Sequence, residues 1–273
     1  MREKIDWLAY TSKFSESWQF PSFVDNHWKP ISPIRHYTNG EENREGVRRY
    51  WNTIDMKQGR KVEWSGSTLN YSEEHLSQLF TFVAGLDNKI TRVDYCLDIF
   101  GQSFEPSGCI RHIKNRDFIT HAQKAIVNKD WLNEGFTQYV GTKSSETYTR
   151  IYDKAAEQKL NGKWSRIETV YQGERAEASM QAYLLHKSTR PLIRAHVEFP
   201  KWKAWQRVMV GDKVKLAITP RKSKTREWLL NQVAGSIAKE LLLDDDQAFL
   251  FELMERVRFE YKRLTKDEQD VEW

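Results

Sequence analysis

The chain has 273 residues, and its 43 lysines and arginines against 38 aspartates and glutamates give a formal net charge of +5. Hydrophobic residues make up 39% of the chain and aromatic residues 13%, which excludes an intrinsically disordered protein. A run of about 18 apolar residues and a signal peptide are both absent, so we predict a cytoplasmic protein without a membrane span. The positive charge is compatible with a polyanionic partner.

The first ninety residues predict two short strands and one helix. Residues 5–10 and 62–64 are apolar and read as strands, the second ending in a turn at residues 65–67. Ser72 is a candidate N-cap for a helix that carries Leu76, Leu79 and Val83 on one face and stops near Gly85. These elements account for an apolar core.

A longer strand is predicted over residues 90–100, because β-branched and aromatic residues dominate it. Side chains alternate between the faces of a strand, so the odd-numbered residues 93–99 form an apolar face. The opposite face carries Arg92, Asp94, Cys96 and Asp98. Buried charges are costly unless they are paired or metal-bound, so this face predicts a site.

Further strands are predicted at residues 136–140, 147–154, 164–171 and 193–199, with a helix around residues 175–187 and mixed helix and loop over 104–133. Extended backbone at 147–154 places Arg150, Tyr152 and Lys154 on one face. Arg166 and Glu168 share a face of the next strand. Trp202 and Trp205 are interpreted as packing anchors in preference to platforms for unpaired bases.

The C-terminal part changes to helical spacing. Leu229, Val233 and Ile237 recur at every fourth position, and residues 250–257 repeat the pattern after three aspartates at 244–246. We therefore predict a boundary near residue 222, between a domain at 1–222 and a helical segment at 223–273. The predicted fold class is α+β, with antiparallel β-sheets, flanking helices and a C-terminal helical hairpin.

The polar faces together contain the groups of a phosphate-transfer site. Asp94, Asp98 and Glu168 form a candidate acidic set, and carboxylate oxygens suit Mg²⁺ or Mn²⁺. Each polar face taken alone can also be an ordinary ion pair. His196 and Glu198 share a predicted strand face and are alternative ligands.

The cysteines and the basic runs do not by themselves indicate a particular function. Cys96 and Cys109 lack metal-ligand spacing and are interpreted as buried thiols. Two basic clusters are candidate DNA contacts or ordinary solvated surface, one at residues 221–226 and one within residues 44–61.

Three blocks resemble the replication initiation factors of rolling-circle plasmids and filamentous phages, also called the Rep-trans family. They are residues 139–145, residues 150–157 with the segment at 166–168, and an upstream Thr-Arg-x-Asp-x-x-x-Asp segment that starts at Thr91. The blocks occur in the family's order, and the likeness covers roughly residues 5–200. Relaxases of some conjugative elements resemble the same domain.

The resemblance implies a mechanism in which a tyrosine attacks DNA, leaving a 5′-phosphotyrosyl link and a free 3′-OH. Tyr152 is the predicted nucleophile, with Tyr148 and Tyr139 as alternatives. Lys154 and Arg150 are predicted to assist it. The predicted DNA contacts are Arg92, Lys143, Arg166, Arg221, Lys222 and Lys224.

The implied partners are origin DNA, single-stranded or in a hairpin at the nick site, a host helicase and a second copy in a homodimer. Two alternatives stay open from sequence. One is a non-catalytic origin-binding regulator with the same fold, which would not need Tyr152, and the other is a conjugative relaxase with the same chemistry. An RNA-binding module is disfavoured because no RNA-recognition motif is present.

Overall fold

A nine-stranded antiparallel sheet forms the centre of the computed structural model, in the order β2-β3-β4-β5-β1-β6-β10-β9-β8, beside a small sheet of β11 and β7. The strands are β1 (Arg2–Ser12), β2 (Trp28–Pro30), β3 (Asn39–Asn43), β4 (Arg48–Trp51), β5 (Arg60–Ser65), β6 (Asn88–Phe100), β7 (Ile119–Thr120), β8 (Thr137–Val140), β9 (Thr147–Asp153), β10 (Trp164–Gln172) and β11 (Val197–Glu198). The helices are α1 (Glu73–Gly85), α2 (Cys109–Lys114), α3 (Lys154–Glu157), α4 (Glu174–His186), α5 (Arg190–His196) and α6 (Lys203–Val208).

The structure describes residues 1–12, 20–34, 36–53, 59–85, 88–101, 103–120, 136–216, 237–238 and 249–259. The chain divides into two units, Met1–Ile218 and Thr219–Trp273. The boundary predicted near residue 222 lies outside the described residues. Of the predicted helical hairpin, residues 237–238 and 249–259 are described and are helical.

One face of the large sheet packs on helices and forms the core. Strand alternation sends Val93, Leu97 and Ile167 to this face, where all three are fully buried. Hydrogen bonds tie the helices to the sheet, since Tyr95 Oη donates to Ser179 Oγ of α4 at 3.2 Å. The predicted antiparallel α+β fold with flanking helices is therefore confirmed.

The other face of the central strands is polar. Side chains from β1, β6, β10 and β9 lie side by side on it, and most of them are charged. We call this set the polar face; its members are Asp6, Trp7, Arg92, Asp94, Cys96, Asp98, Arg150, Tyr152, Arg166 and Glu168. Because strands pair in register, the alternation predicted from single strands becomes one continuous surface.

Some elements differ from the sequence prediction. The strand expected at residues 193–199 is helix α5 up to His196, followed by two residues of β11, because Pro191 opens a helical turn there. Strand β9 ends at Asp153, whose side chain caps α3 by accepting from Ala156 N, so Lys154 begins a helix.

Strands β2, β3 and β4 were not predicted, because they are three to five residues long and rich in charge. In the predicted basic cluster within residues 44–61, Arg48, Arg49 and Lys61 pair with Glu42, Glu41 and Glu63. Much of this positive charge is therefore neutralised locally.

An aromatic cluster packs behind the small sheet. The Trp202 and Trp205 rings stack at 6.2 Å, and Trp205 is fully buried with its Nε1 donating to Glu198 Oε1. Both tryptophans are thus packing anchors, as predicted. Cys96 and Cys109 are buried free thiols. Among the residues that the structure describes, no helix has the length and apolar character needed to cross a bilayer.

Candidate active site

Tyr152, Glu168 and Arg150 form a hydrogen-bonded group at the centre of the polar face. Tyr152 Oη donates to Glu168 Oε2 at 3.1 Å, and Arg150 Nε donates to Glu168 Oε1 at 2.8 Å. The Arg150 guanidinium lies 5.0 Å from the centre of the Tyr152 ring, and Lys154 Nζ lies 5.6 Å from it. A phenol is thereby held against a carboxylate and beneath two cations.

Strand register brings these groups together. Arg166 of β10 lies opposite Tyr152 of β9, and Glu168 lies opposite Arg150. On the other side of β10 the same two residues lie opposite Asp98 and Cys96 of β6. Since directly opposite side chains are about 5 Å apart, three distant sequence blocks become one site.

Arg166 is the buried charge that ties this site to the rest of the polar face. Its side chain is 1% exposed, with Nε 2.6 Å from Asp98 Oδ1 and Nη1 2.7 Å from Asp6 Oδ2. Trp164 Nε1 also donates to Asp98 Oδ1 at 2.9 Å. Asp98 and Arg166, predicted as a metal ligand and a DNA contact, are here joined to each other.

Asp94 and Arg92 form a second pair farther along β6. Arg92 Nε and Nη2 donate to the two oxygens of Asp94 at 2.8 Å and 2.6 Å. The Arg92 guanidinium also lies 5.0 Å from the centre of the Trp7 ring. The guanidinium is therefore held both by a carboxylate and by an aromatic ring.

The site perturbs the pKa values of its members. Burial and the Glu168 carboxylate raise the pKa of Tyr152, and burial likewise raises the pKa of Cys96. Burial also raises the pKa of Asp94, against the effect of Arg92. For Asp6, burial is outweighed by Arg166 and Lys4, which hold its pKa below the usual range.

Asp6, Cys96 and Glu168 offer ligand atoms that lie within 4.8 Å of one another, among the residues the structure describes. The two carboxylates suit a hard divalent cation such as Mg²⁺ or Mn²⁺, whereas the Cys96 thiol is a soft donor that these ions do not prefer. Arg166 and Lys4 supply positive charge next to Asp6 here, so a bound ion would replace part of these contacts. The two carboxylates therefore fit a divalent metal, and Glu168 also belongs to the predicted set.

The remaining predicted site residues have contacts of their own. Lys143 is exposed, with its Nζ 5.0 Å from the Tyr139 ring centre. Lys154 pairs with Glu157. The alternative ligands both have other partners: His196 Nδ1 is hydrogen-bonded to Thr149 Oγ1, and Glu198 accepts from Trp205 Nε1 and Arg194 Nε. The predicted DNA contacts Arg221, Lys222 and Lys224 lie outside the described residues.

Sequence reasoning missed Asp6. A register shift between Ile5 and Trp7 in the β1–β6 ladder interrupts simple alternation, and both Asp6 and Trp7 lie on the polar face. Gly66, in the turn after β5, leaves room for the Asp6 carboxylate, because a Cβ at this position would meet Asp6 Oδ1 at 2.1 Å. A charged residue inside the otherwise apolar stretch at residues 5–10 was the available signal.

The chain matches a known family of proteins. Residues 88–254, more than half of the chain, match the replication initiation factor family, so the chain belongs to that family. It is 25% identical over 240 residues to NicK of Bacillus subtilis (strain 168), described as a DNA relaxase, covering 73% of this chain and 68% of that protein.

A solved structure shares the fold. It is the rolling circle replication initiator protein from Geobacillus stearothermophilus, with a TM-score of 0.59 and 19% sequence identity. The likeness covers 79% of this chain and 93% of that one.

Proposed function

We propose that this replication initiation factor nicks one DNA strand at an origin and later rejoins it, with Tyr152 as the nucleophile. The observation that carries the proposal is the Tyr152 hydroxyl held 3.1 Å from Glu168 Oε2, with Arg150 and Lys154 over its ring. A phenol is largely protonated at neutral pH, so it needs a base and nearby cations to become an effective nucleophile.

The chemistry follows from these contacts. Tyr152 Oη attacks the scissile phosphorus as its proton passes to Glu168 Oε2, and the bond from phosphorus to the 3′-oxygen breaks. The 3′-oxygen takes up a proton from the solvent, to which Glu168 releases the one it accepted, and leaves as a free hydroxyl, while the 5′-phosphate stays on the tyrosine. Arg150 and Lys154 offset the charge that develops on the phosphate oxygens. The reverse attack by a 3′-hydroxyl reseals the strand.

Access to the nucleophile requires a local exchange of partners. Tyr152 is 2% exposed, while the side chain of Arg150 is 27% exposed and that of Lys154 12% exposed. The two cations that cover the phenol are also the groups that a phosphate binds, so an incoming phosphate takes over their contacts as it reaches the hydroxyl. This exchange explains how a buried tyrosine reaches the DNA.

A divalent metal, Mg²⁺ or Mn²⁺, is the cofactor we propose. Asp6 and Glu168 with Cys96 are the donors that lie together, and Asp94, Asp98 and Glu168 are the set predicted from sequence. A bound ion would polarise the phosphate and stabilise the departing oxygen. Glu168 belongs to both sets, and its two oxygens face different partners, Oε1 towards Arg150 and Oε2 towards Tyr152.

Covalent adduct formation tests the proposal. Labelled single-stranded oligonucleotides spanning the origin of the encoding element are incubated with wild type, Tyr152→Phe or Tyr148→Phe, in Mn²⁺ or EDTA, and resolved on a denaturing gel. We expect an adduct in Mn²⁺ for wild type and Tyr148→Phe, and none for Tyr152→Phe. An adduct that survives Tyr152→Phe contradicts the assignment, and tight binding without any adduct favours the non-catalytic regulator.

The likeness to a protein described as a DNA relaxase favours a second candidate, in which the same chemistry acts at a transfer origin. Replication and transfer are distinguished by which origin sequence the protein nicks. The host helicase, the homodimer and the division at residue 222 stay predictions. So does DNA binding by residues 221–226, where removing one basic charge should reduce the salt dependence of binding by about one unit.

A further inference from the structure

An open cavity of about 640 Å³ lies on the polar face, away from Tyr152. Its floor is built by β5, β1 and β6, and one wall comes from the segment that precedes β3. Ala9 lies at the floor, between Glu63 and Arg92 across three neighbouring strands. Its small side chain makes the surface concave where its neighbours project.

The floor carries a flat surface for stacking. The Arg92 guanidinium lies 5.0 Å from the Trp7 ring centre, and its two hydrogen bonds to Asp94 fix its position. Trp7 is half-buried, so part of its ring faces the cavity. An indole and a guanidinium are the groups on which nucleobases stack.

The wall is preorganised, and polar groups face the interior. Asn52 holds the wall segment, accepting from Thr38 N at 2.7 Å and donating to the His36 carbonyl at 2.9 Å. This places Tyr37 on the cavity. The lining also includes the polar side chains of Lys61, Glu63 and Gln172.

We propose that this cavity binds one unpaired base of the DNA strand that Tyr152 cuts. Trp7 and Arg92 stack on the base, with the polar side chains of the lining around its edge. The inference rests on the proposed function, because it assumes that a single strand crosses the polar face. It goes further by assigning a base subsite to residues outside the catalytic group.

The position of the cavity fits such a strand. Arg92 is six residues from Asp98 on β6, which corresponds to about 20 Å along the strand. Asp98 lies in the same cross-strand row as Arg166 and Tyr152. The base held in the cavity is therefore several nucleotides away from the scissile phosphate. Because of this separation, the base in the cavity would help to determine which phosphate of the bound strand lies at Tyr152.

The test measures binding without chemistry. Every protein carries Tyr152→Phe, and fluorescence anisotropy follows its binding to a labelled oligothymidylate of about 20 nucleotides and to an abasic oligomer of the same length. Trp7→Ala removes the stacking ring and Trp7→Phe retains an aromatic face. Trp51→Ala is the matched control, because Trp51 lies on the opposite face of the sheet beside Arg49.

We expect Trp7→Ala to weaken binding of the oligothymidylate about tenfold, with most of the affinity recovered in Trp7→Phe. Binding of the abasic oligomer should be unchanged, and Trp51→Ala should leave both affinities unchanged. Equal losses on both oligomers, or no loss on either, would overturn the base subsite. The adduct assay, run on proteins that retain Tyr152, reports separately on the proposed function. The base subsite and the proposed function can therefore fail independently.

Discussion

Replacing Asp98 with asparagine separates a structural role for this carboxylate from a metal-binding one. Asp98 and Arg166 have side chains that are 3% and 1% exposed, joined through Nε–Oδ1 at 2.6 Å and Nη2–Oδ2 at 2.9 Å. The asparagine side chain would keep the shape of the carboxylate but lose its charge. Arg166 would then keep Asp6, at 2.7 Å, as its direct acidic partner.

The expected cost is large for a single isosteric change. Removing one member of a buried ion pair destabilises a protein by about 3–5 kcal/mol, and the retained Asp6 contact places Asp98→Asn near the lower end. In a unit of this size, about 3 kcal/mol corresponds to a fall in Tm of about 6–12 °C. The exposed pair of Arg48 and Glu42 is the control, where Glu42→Gln should cost less than about 1 kcal/mol.

Urea unfolding followed by circular dichroism, in EDTA, measures both variants against wild type. We expect the Asp98→Asn loss without any metal present, and Asp98→Asn combined with Arg166→Met should recover part of it, because the buried guanidinium is removed and Asp6 keeps its ion pair with Lys4. A loss no larger than that of Glu42→Gln in EDTA would refute the structural role. A deficit that appears only after Mn²⁺ is added would instead support the metal ligand predicted from sequence.

Three further predictions concern other parts of the fold. Gly66→Ala should displace Asp6, because the added Cβ would meet Asp6 Oδ1 at 2.1 Å. The affinity for Mn²⁺, measured by electron paramagnetic resonance, should therefore fall. An unchanged affinity would show that Asp6 is not a metal ligand. Burial lowers the pKa of His112, so the unfolded chain takes up its proton first and stability falls as pH drops below about 6.5, by at most about 1.4 kcal/mol per pH unit. His112→Phe should lose this part of the acid sensitivity in thermal melts, and an identical pH profile would contradict it. Thr149→Val should cost about 1–3 kcal/mol in urea unfolding, because its buried hydroxyl is hydrogen-bonded to His196 Nδ1 at 2.8 Å; a neutral substitution would show that this bond is dispensable.

Strand alternation predicted the polar face well because its period does not depend on tertiary context. Arg92 and Asp94 on β6, and Arg150 and Tyr152 on β9, were placed on common faces from sequence, and the ladders bring those strands to either side of β10. Pairing between distant strands was outside the reach of single-strand patterns. The grouping of three blocks came from the family resemblance.

Local irregularities of the backbone limited the prediction of the remaining elements and site residues. The register shift in β1 hid Asp6, and Pro191 turned an expected strand into helix α5. Competition among charges was also invisible in the sequence. Asp98 was predicted to be a metal ligand, and in the structure it is paired with Arg166. Which cation lies nearest to a carboxylate depends on which strands are neighbours in the sheet.

Peptide mapping of the covalent adduct identifies the nucleophile without relying on a substitution. Cleavage after Lys143, Arg150 and Lys154 places the three candidate tyrosines on separate tryptic peptides, with Tyr152 alone on residues 151–154. After nuclease digestion of the bound DNA, mass spectrometry should find the nucleotide on that peptide. A nucleotide on residues 144–150 or 130–143 would assign the attack to Tyr148 or Tyr139 and contradict Tyr152 as the nucleophile.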